Sequence, residues 1–588
     1  MSKKIPCVLL IVLLAGLFQA ATAALPAAET KIRLDVKVEG VEGKLKKNVL
    51  SFMSIERQKN SPELNEDVMK ALFDKAPDEI RTALQPFGFY TPAIKSELIQ
   101  KNGGWLAVFR INPGEPVIIT KLDLRITGEG AGKPAFEDYI KTFPLKKGQI
   151  LDQQAYEKAK RNLEQTAADH GFPNAALTTH RILVYPKRHE AEISLSLDTG
   201  PQFKFGDVTF IQSRNVLSTR FLQKFVTFKK GDPYDVSALL ALQDALGTSG
   251  YFSRANVTPL PQKAAGLLVP VEVTLTPAKR YEVSVGAGYG TDTGLRGRID
   301  WLDRWVNRRG HRMEVDLGLA EIKQNAIWRY IVPYHPPATH LDYSLGYLAE
   351  DTTIEKSETY LAGASFTRPL SPRWLQTVYF NVEREHFTVA GETATSRLII
   401  PGGTWTYKKA PAAPYVNEGI RLIADVRGTA KAMLSSVSVI QGRLRPKYVR
   451  GIGGFGNLIV RGDVGATEVD NFQRLPATLR FFAGGDNSIR GYSYKTLGPK
   501  NSEGLVEGGK YLLVASIEYD QIIYRKWGAA VFYDGGNAFS SFPPTWKSGA
   551  GAGIRWLSIV GPVRIDFAWS ISDPSPAFHV YVSIGPEI

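Results

Sequence analysis

The groups best equipped for chemistry lie late in the chain. Arg490 stands in Phe481-Phe482-Ala483-Gly484-Gly485-Asp486-Asn487-Ser488-Ile489-Arg490-Gly491-Tyr492, and Asp534 in Val531-Phe532-Tyr533-Asp534-Gly535-Gly536. An arginine stays charged and offers a planar fork of donors that suits a carboxylate. Gly491 lets the backbone pack closely against a neighbour, and Tyr492 adds a broad face with a polar end. This is chemistry for holding rather than for breaking bonds. Groups that break bonds do not assemble. The eight histidines are scattered, with no pair at zinc-ligand spacing on a helix, and no Gly-x-Ser-x-Gly elbow occurs. Gly451-x-Gly453-x-x-Gly456 spells a dinucleotide fingerprint, but it precedes the strand-like stretch 457–462 instead of opening a helix. The sequence therefore points to a non-enzyme with no catalytic residue, no metal site and no cofactor.

Positioning these groups takes several domains, because 588 residues exceed one compact unit. Residues 1–23 read as a signal peptide. Lys3 and Lys4 precede an apolar run from Ile5 to Phe18, and Ala21-Thr22-Ala23 is a cleavage site. The run is short of the roughly 20 apolar residues that span a bilayer. Cys7, the only cysteine, lies inside it, so disulfides and thiolate sites are excluded from the mature chain. The formal charge is +14, and without Lys3 and Lys4 the mature chain keeps 70 basic against 58 acidic side chains, or +12. In a secreted protein that excess suits anionic lipid or plain solvation better than nucleic acid.

Residues 27–277 carry a weak repeat of roughly 80 residues. Gly88-Phe89-Tyr90, Gly171-Phe172-Pro173 and Gly250-Tyr251-Phe252 mark it. Each follows a helical pattern: Asp152 is placed to cap a helix with Tyr156, Ala159, Leu163 and Ala167 on one face, and Leu239, Leu242 and Leu246 repeat the pattern. The glycine ends the helix in a left-handed turn. Pro86 makes the first unit irregular. Alternating stretches at Leu34-Val36-Val38, Leu122-Leu124-Ile126, Ile193-Leu195-Leu197 and Val269-Val271-Val273-Leu275 predict flanking strands, so each unit reads strand, helices, strand, strand.

From Tyr281 helical spacing gives way to period-two alternation rich in glycine, as in Tyr281-Val283-Val285 against Glu282-Ser284-Gly286, and in Val563-Ile565-Phe567-Trp569 against Arg564-Asp566-Ala568-Ser570. A soluble sandwich alternates in the same way. A persistent charged face favours a barrel with a wet lumen. So do nine of ten tryptophans beyond residue 280, with Trp301, Trp305 and Trp374 near expected strand ends as an interfacial girdle. About 308 residues fit about 16 membrane strands of roughly 9–11 residues.

The two late segments and the preceding repeats resemble the outer-membrane assembly-factor superfamily, which joins polypeptide-transport-associated (POTRA) modules to a β-barrel. The expected architecture is three α+β POTRA-like modules at 24–115, 116–201 and 202–277, then a transmembrane antiparallel barrel at 278–588. The resemblance implies that an extracellular loop tipped by Arg490, Gly491 and Tyr492 folds into the lumen, where Arg490 meets Asp534 of a lumen-facing motif that includes Val531, Phe532 and Gly535. Three modules are most like the translocation and assembly branch. That branch implies insertion or secretion of outer-membrane proteins such as autotransporters, by pairing of a client strand at a weak seam. Its implied partners are a TamB-like inner-membrane-anchored periplasmic protein, unfolded outer-membrane clients and outer-membrane lipid. The seam is expected near Gly286, Gly288 and Gly290 of the first strand and Phe578, Tyr581 and Ile584 of the last, glycine weakening a strand by removing side-chain packing or merely easing curvature. The chain ends in a polar Gly585-Pro586-Glu587-Ile588 tail, so recognition by assembly machinery is expected to rest on Phe578, Tyr581 and Ile584. The rival readings are a passive porin and a lipid-transport component.

Overall fold

The computed structural model describes residues 33–584 apart from 102, 291–293, 335–337, 412–415, 455, 559–560 and 574–576, with backbone alone at 288–290, 561 and 584. The signal segment 1–23 and the tail 585–588 lie outside the described residues. The chain divides into two compact units, one up to Phe203 and one from Lys204.

The first unit holds two modules. One comprises β1 (Leu34–Glu39), α1 (Gly43–Phe52), α2 (Ser54–Gln58), α3 (Glu66–Leu84), β2 (Ala93–Lys101) and β3 (Gly104–Asn112). The other comprises β4 (Ile118–Thr127), α4 (Pro134–Lys141), α5 (Gln153–Asp169), β5 (Ala176–Tyr185) and β6 (Glu190–Asp198). In each, the last strand is central, parallel to the first and antiparallel to the second. The periodicity explains the helices. Asp152 caps α5 by accepting from the Ala155 amide at 2.9 Å, and Tyr156, Ala159, Leu163 and Ala167 are all buried. Gly171 then turns with φ +88°, which swings Phe172 into the core. In the first module Pro86 stops α3 at Leu84 and a 3-10 turn leads to Gly88 at φ +89°. The repeat glycines also form joints: the Val117 amide donates to the Gly88 carbonyl at 2.8 Å, and the Phe203 amide to the Gly171 carbonyl at 2.7 Å.

The second unit opens with a third module, β7 (Lys204–Gln212), α6 (Thr219–Leu222), α7 (Val236–Thr248), β8 (Phe252–Pro259) and β9 (Leu268–Pro277), of the same topology. Leu239, Leu242 and Leu246 are the buried face of α7. Sixteen strands follow: β10 (Tyr281–Gly290), β11 (Gly294–Asp303), β12 (Arg312–Ala320), β13 (Lys323–Pro333), β14 (His340–Asp351), β15 (Glu355–Ser371), β16 (Trp374–Val389) and β17 (Glu392–Lys409) make the first half. The second half is β18 (Glu418–Thr429), β19 (Val439–Ile452), β20 (Gly456–Val469), β21 (Tyr511–Tyr524), β22 (Trp527–Phe539), β23 (Lys547–Ser558), β24 (Gly561–Ser570) and β25 (Phe578–Ile584). They form one sheet in sequence order. Gly451-x-Gly453-x-x-Gly456 closes the hairpin of β19 and β20, so it joins two antiparallel strands and never meets a helix.

The sheet presents alternate residues to opposite faces. On β22, Ala530, Phe532 and Asp534 are buried while Val531 and Tyr533 are exposed. This corrects one expectation: Val531 belongs to the motif but points outward, as its odd position in a period-two strand requires. Gly535 shares that outward parity and is covered by the Trp546 ring, which a Cβ there would meet at 2.9 Å. Trp305 departs from the girdle as well. It lies in the 304–311 turn and is buried, and that turn docks on the third module. There the Tyr251 hydroxyl donates to the Gly310 carbonyl at 2.5 Å, Arg304 donates to the Gly250 carbonyl at 2.8 Å, and Arg312 donates to the Ser249 carbonyl.

Candidate functional site

The segment between β20 and β21, residues 470–510, enters the sheet's concave side from the rim opposite the third module. Arg490 is its deepest charge, only 3% exposed, and Asp534 is fully buried. Arg490 Nε donates to Asp534 Oδ2 at 2.7 Å, Nη2 to Asp534 Oδ1 at 3.0 Å, and the backbone amide to Oδ2 at 3.0 Å. Nη1 donates to Glu518 at 2.7 Å and to Asp566 at 3.0 Å. The guanidinium also lies 3.4 Å from the centre of the Phe532 ring, a cation–π stack in a desolvated setting.

The charges balance. Arg555 reaches Glu518 and Asp566, each at 2.6 Å, and Arg461 approaches Asp534 at 3.7 Å. Three guanidiniums thus face three carboxylates contributed by β21, β22 and β24. A buried ion needs such pairing, since desolvation otherwise costs several kcal/mol per charge. Space comes from β23, where Gly549, Gly551 and Gly553 lie opposite Asp534, Phe532 and Ala530. A Cβ at Gly549 would lie 1.8 Å from the Arg490 carbonyl oxygen.

Beyond the arginine the loop is held at several points. Gly491, at φ +94°, lies so close to the backbone of Trp569 that a Cβ would meet its carbonyl carbon at 2.5 Å. The Tyr492 hydroxyl donates to the Ser548 carbonyl at 3.3 Å. Tyr581 of β25 accepts from the Gly491 amide and donates to the Tyr492 carbonyl, both at 3.1 Å. On the opposite wall Lys495 pairs with Glu355 at 2.8 Å and Glu350 at 2.9 Å, and Thr478 donates to Glu385.

The seam residues fall at the two ends of the sheet order. Gly286, Gly288 and Gly290 pair with Arg298, Arg296 and Gly294 of β11, so the glycines leave that ladder intact. Ile584 pairs with Val563, and Phe578 with Trp569, which it contacts ring to ring at 5.1 Å on the exposed face. β10 and β25, the two ends of the strand order, approach within 8 Å of each other. Tyr581 has a place that sequence reasoning missed, since its hydroxyl is bonded into the loop. Also missed were Glu518, Arg555, Arg461, Lys495 and the β23 glycines. The Gly549-x-Gly551-x-Gly553-x-Arg555 alternation was a visible signal, because a strand face stripped of side chains must receive something.

Residues 281–587 match the Omp85 superfamily domain, residues 35–113 match the POTRA domain described as TamA domain 1, and residues 203–277 match a POTRA, or surface antigen variable number, repeat. Outer membrane protein assembly factor BamA of Neisseria meningitidis serogroup B is 22% identical over 58% of this chain and 51% of its own length. The BamA of Nitratidesulfovibrio vulgaris is 31% identical over 17% of this chain and 14% of its own. The chain thus spans about half, or less, of the curated relatives it matches. Among solved structures, BamA from Haemophilus ducreyi lacking POTRA domains 1–3 superposes with a TM-score of 0.64 at 15% identity, covering 79% of this chain and 99% of that one, a likeness of fold.

Proposed function

Because this chain belongs to the Omp85 superfamily, whose domain covers more than half of it, we propose that it works as the outer-membrane component of a translocation and assembly module, promoting insertion or secretion of outer-membrane proteins such as autotransporters. It is an outer-membrane β-barrel protein with its N-terminal POTRA modules in the periplasm. The observation that carries the proposal is that the first and last strands of the sheet, β10 and β25, stand at the two ends of its strand order and come within 8 Å of each other. Where two terminal strands part, each offers backbone donors and acceptors to which an extended client strand can add. The likeness of the first module to the TamA type supports this branch of the family. A lumen filled by the Arg490 loop argues against a passive porin.

On this reading a TamB-like inner-membrane-anchored protein engages the modules, whose sheets also offer edge strands, and unfolded outer-membrane proteins are the clients. The test is a disulfide between facing positions of β10 and β25, made without cysteine background in the mature chain. Oxidation is expected to block client insertion and reductant to restore it. Undiminished insertion with the seam locked removes the gate from the mechanism. Crosslinking from the first module then identifies the periplasmic neighbour.

A further inference from the structure

One row of side chains on the outward face of the barrel stands apart. Register places Tyr347 of β14 opposite Tyr360 of β15, Tyr360 opposite Arg384 of β16, and Arg384 opposite Arg397 of β17. The two tyrosine rings are 5.2 Å apart. Both arginines are exposed, and among the described residues neither makes an ion pair. Like charges directly opposite on adjacent strands are destabilising, so an anion between them would relieve the pair.

The row sits at the border of the apolar belt. Below it Leu345, Ala362, Val382 and Ile399 face outward, and three rows further the polar Arg368–Gln376 pair, joined at 2.9 Å, forms the other border. From Gln376 to Arg384 is eight residues, about 27 Å along a strand, or about 21 Å in height at a tilt of ~40°, close to the ~25 Å belt of outer-membrane barrels. Arg384 lies toward the rim where the Arg490 loop enters, the rim away from the periplasmic modules. The Arg384 row therefore stands at the outer-leaflet headgroups.

A lip completes the site. The Ser435 and Ser436 hydroxyls accept from the Ile399 and Arg397 amides, each at 2.9 Å, and so fasten the 430–438 turn against β17. That turn presents Leu434, at φ +63° and 87% exposed. Leu434, Leu345, Tyr347, Tyr360, Arg384 and Arg397 share one cavity of about 730 Å³ on the outer wall. One row further out Glu358 faces His386, and beyond it Lys356 is paired with Asp351 at 3.3 Å, which leaves the two arginines, among the described residues of β14 to β17, as the positive charge without an ion pair at this height.

We infer that this cavity binds a phosphorylated lipid of the outer leaflet, with Arg384 and Arg397 holding the phosphate, the tyrosines at the headgroup boundary, and Leu434 with the strand wall holding an acyl chain. Two charge-assisted arginine–phosphate contacts favour an anionic phosphate over the charge-balanced headgroup of a zwitterionic lipid. The test uses the full chain in mixed micelles of phosphatidylcholine and lipid A, with retained lipid counted by native mass spectrometry and folding checked by heat-modifiable migration. Wild type is expected to retain lipid A selectively. Arg384→Gln with Arg397→Gln is expected to lose it about tenfold or more, whereas Arg368→Gln, at the opposite border, keeps it. Leu434→Ser, which leaves both arginines in place, is expected to weaken retention severalfold. The inference is overturned if the double variant retains lipid A as wild type does, or loses no more than Arg368→Gln. Displacement of lipid A by inorganic phosphate overturns it too, as does unchanged retention in Leu434→Ser should the double variant not fold.

Discussion

Arg490 spends its side-chain donors on Asp534, Glu518, Asp566 and Ser516. Truncation strands these partners in a buried setting, a loss of about 3–5 kcal/mol in comparable pairs. Arg490→Ala is expected to release the 470–510 loop while the sixteen strands stay folded. Protease added from outside should then cut the loop in intact cells, and wild-type resistance in that variant would count against the clasp. Arg490→Lys should restore little, because an ammonium lacks the planar fork. Gly549→Ala touches no charge, yet its methyl would collide with the Arg490 carbonyl, so the same protease assay should report a loosened loop. Arg490 and Asp534 were legible in the sequence through their flanking motifs. Glu518 and Arg555 were not, because nothing local in a strand announces which distant charge it faces. Counting donors would have helped: a buried guanidinium has five, more than one aspartate can satisfy.

At the scale of elements, the periodicity of α5 and α7, their aspartate caps and their terminal glycines were plain in the sequence because each is a local rule. Asp152→Ala is expected to cost about 1 kcal/mol of module stability, measurable by hydrogen exchange along α5. Less legible was the way α3 supports α2. Glu79 accepts from the Ser54 amide at 2.6 Å and the Ser54 hydroxyl at 2.5 Å, which caps α2 from another helix. Burial, the largest single influence, raises the Glu79 pKa, but the bonds to Ser54 together with Lys75 at 3.4 Å outweigh it and hold the carboxyl below its ordinary value. A depressed pKa contributes stability that is present above the unfolded carboxylate value, about 4.3, and is lost as pH falls through the folded value. Exchange protection of α2 should therefore decline on acidification below that range. Glu79→Gln should remove this pH dependence, and an unchanged profile would show that another group governs it.

Across the whole molecule, strand number was legible because chain length divided by membrane thickness leaves little freedom, and the order of modules and barrel followed from the change of period at Tyr281. What fills the lumen was not, since loop 470–510 has no period and is shaped by contacts with strands far away in sequence. The docking of the third module on the 304–311 turn was likewise invisible, although Tyr251 was singled out as a repeat mark. Tyr251→Phe removes one buried hydrogen bond to Gly310, worth about 1 kcal/mol. It is expected to raise exchange in the 304–311 turn without disturbing β10–β25, and an unaffected turn would assign the anchoring to the arginines alone.

The phenol of Tyr581 ties the final strand to the loop tip, since two of its bonds end on consecutive loop residues. Peeling β25 away must tug the loop, and displacing the loop must slacken β25. A fluorophore fixed to the cell-surface stretch of that loop would therefore report, in real time, any peeling of β25 in the bilayer beneath it.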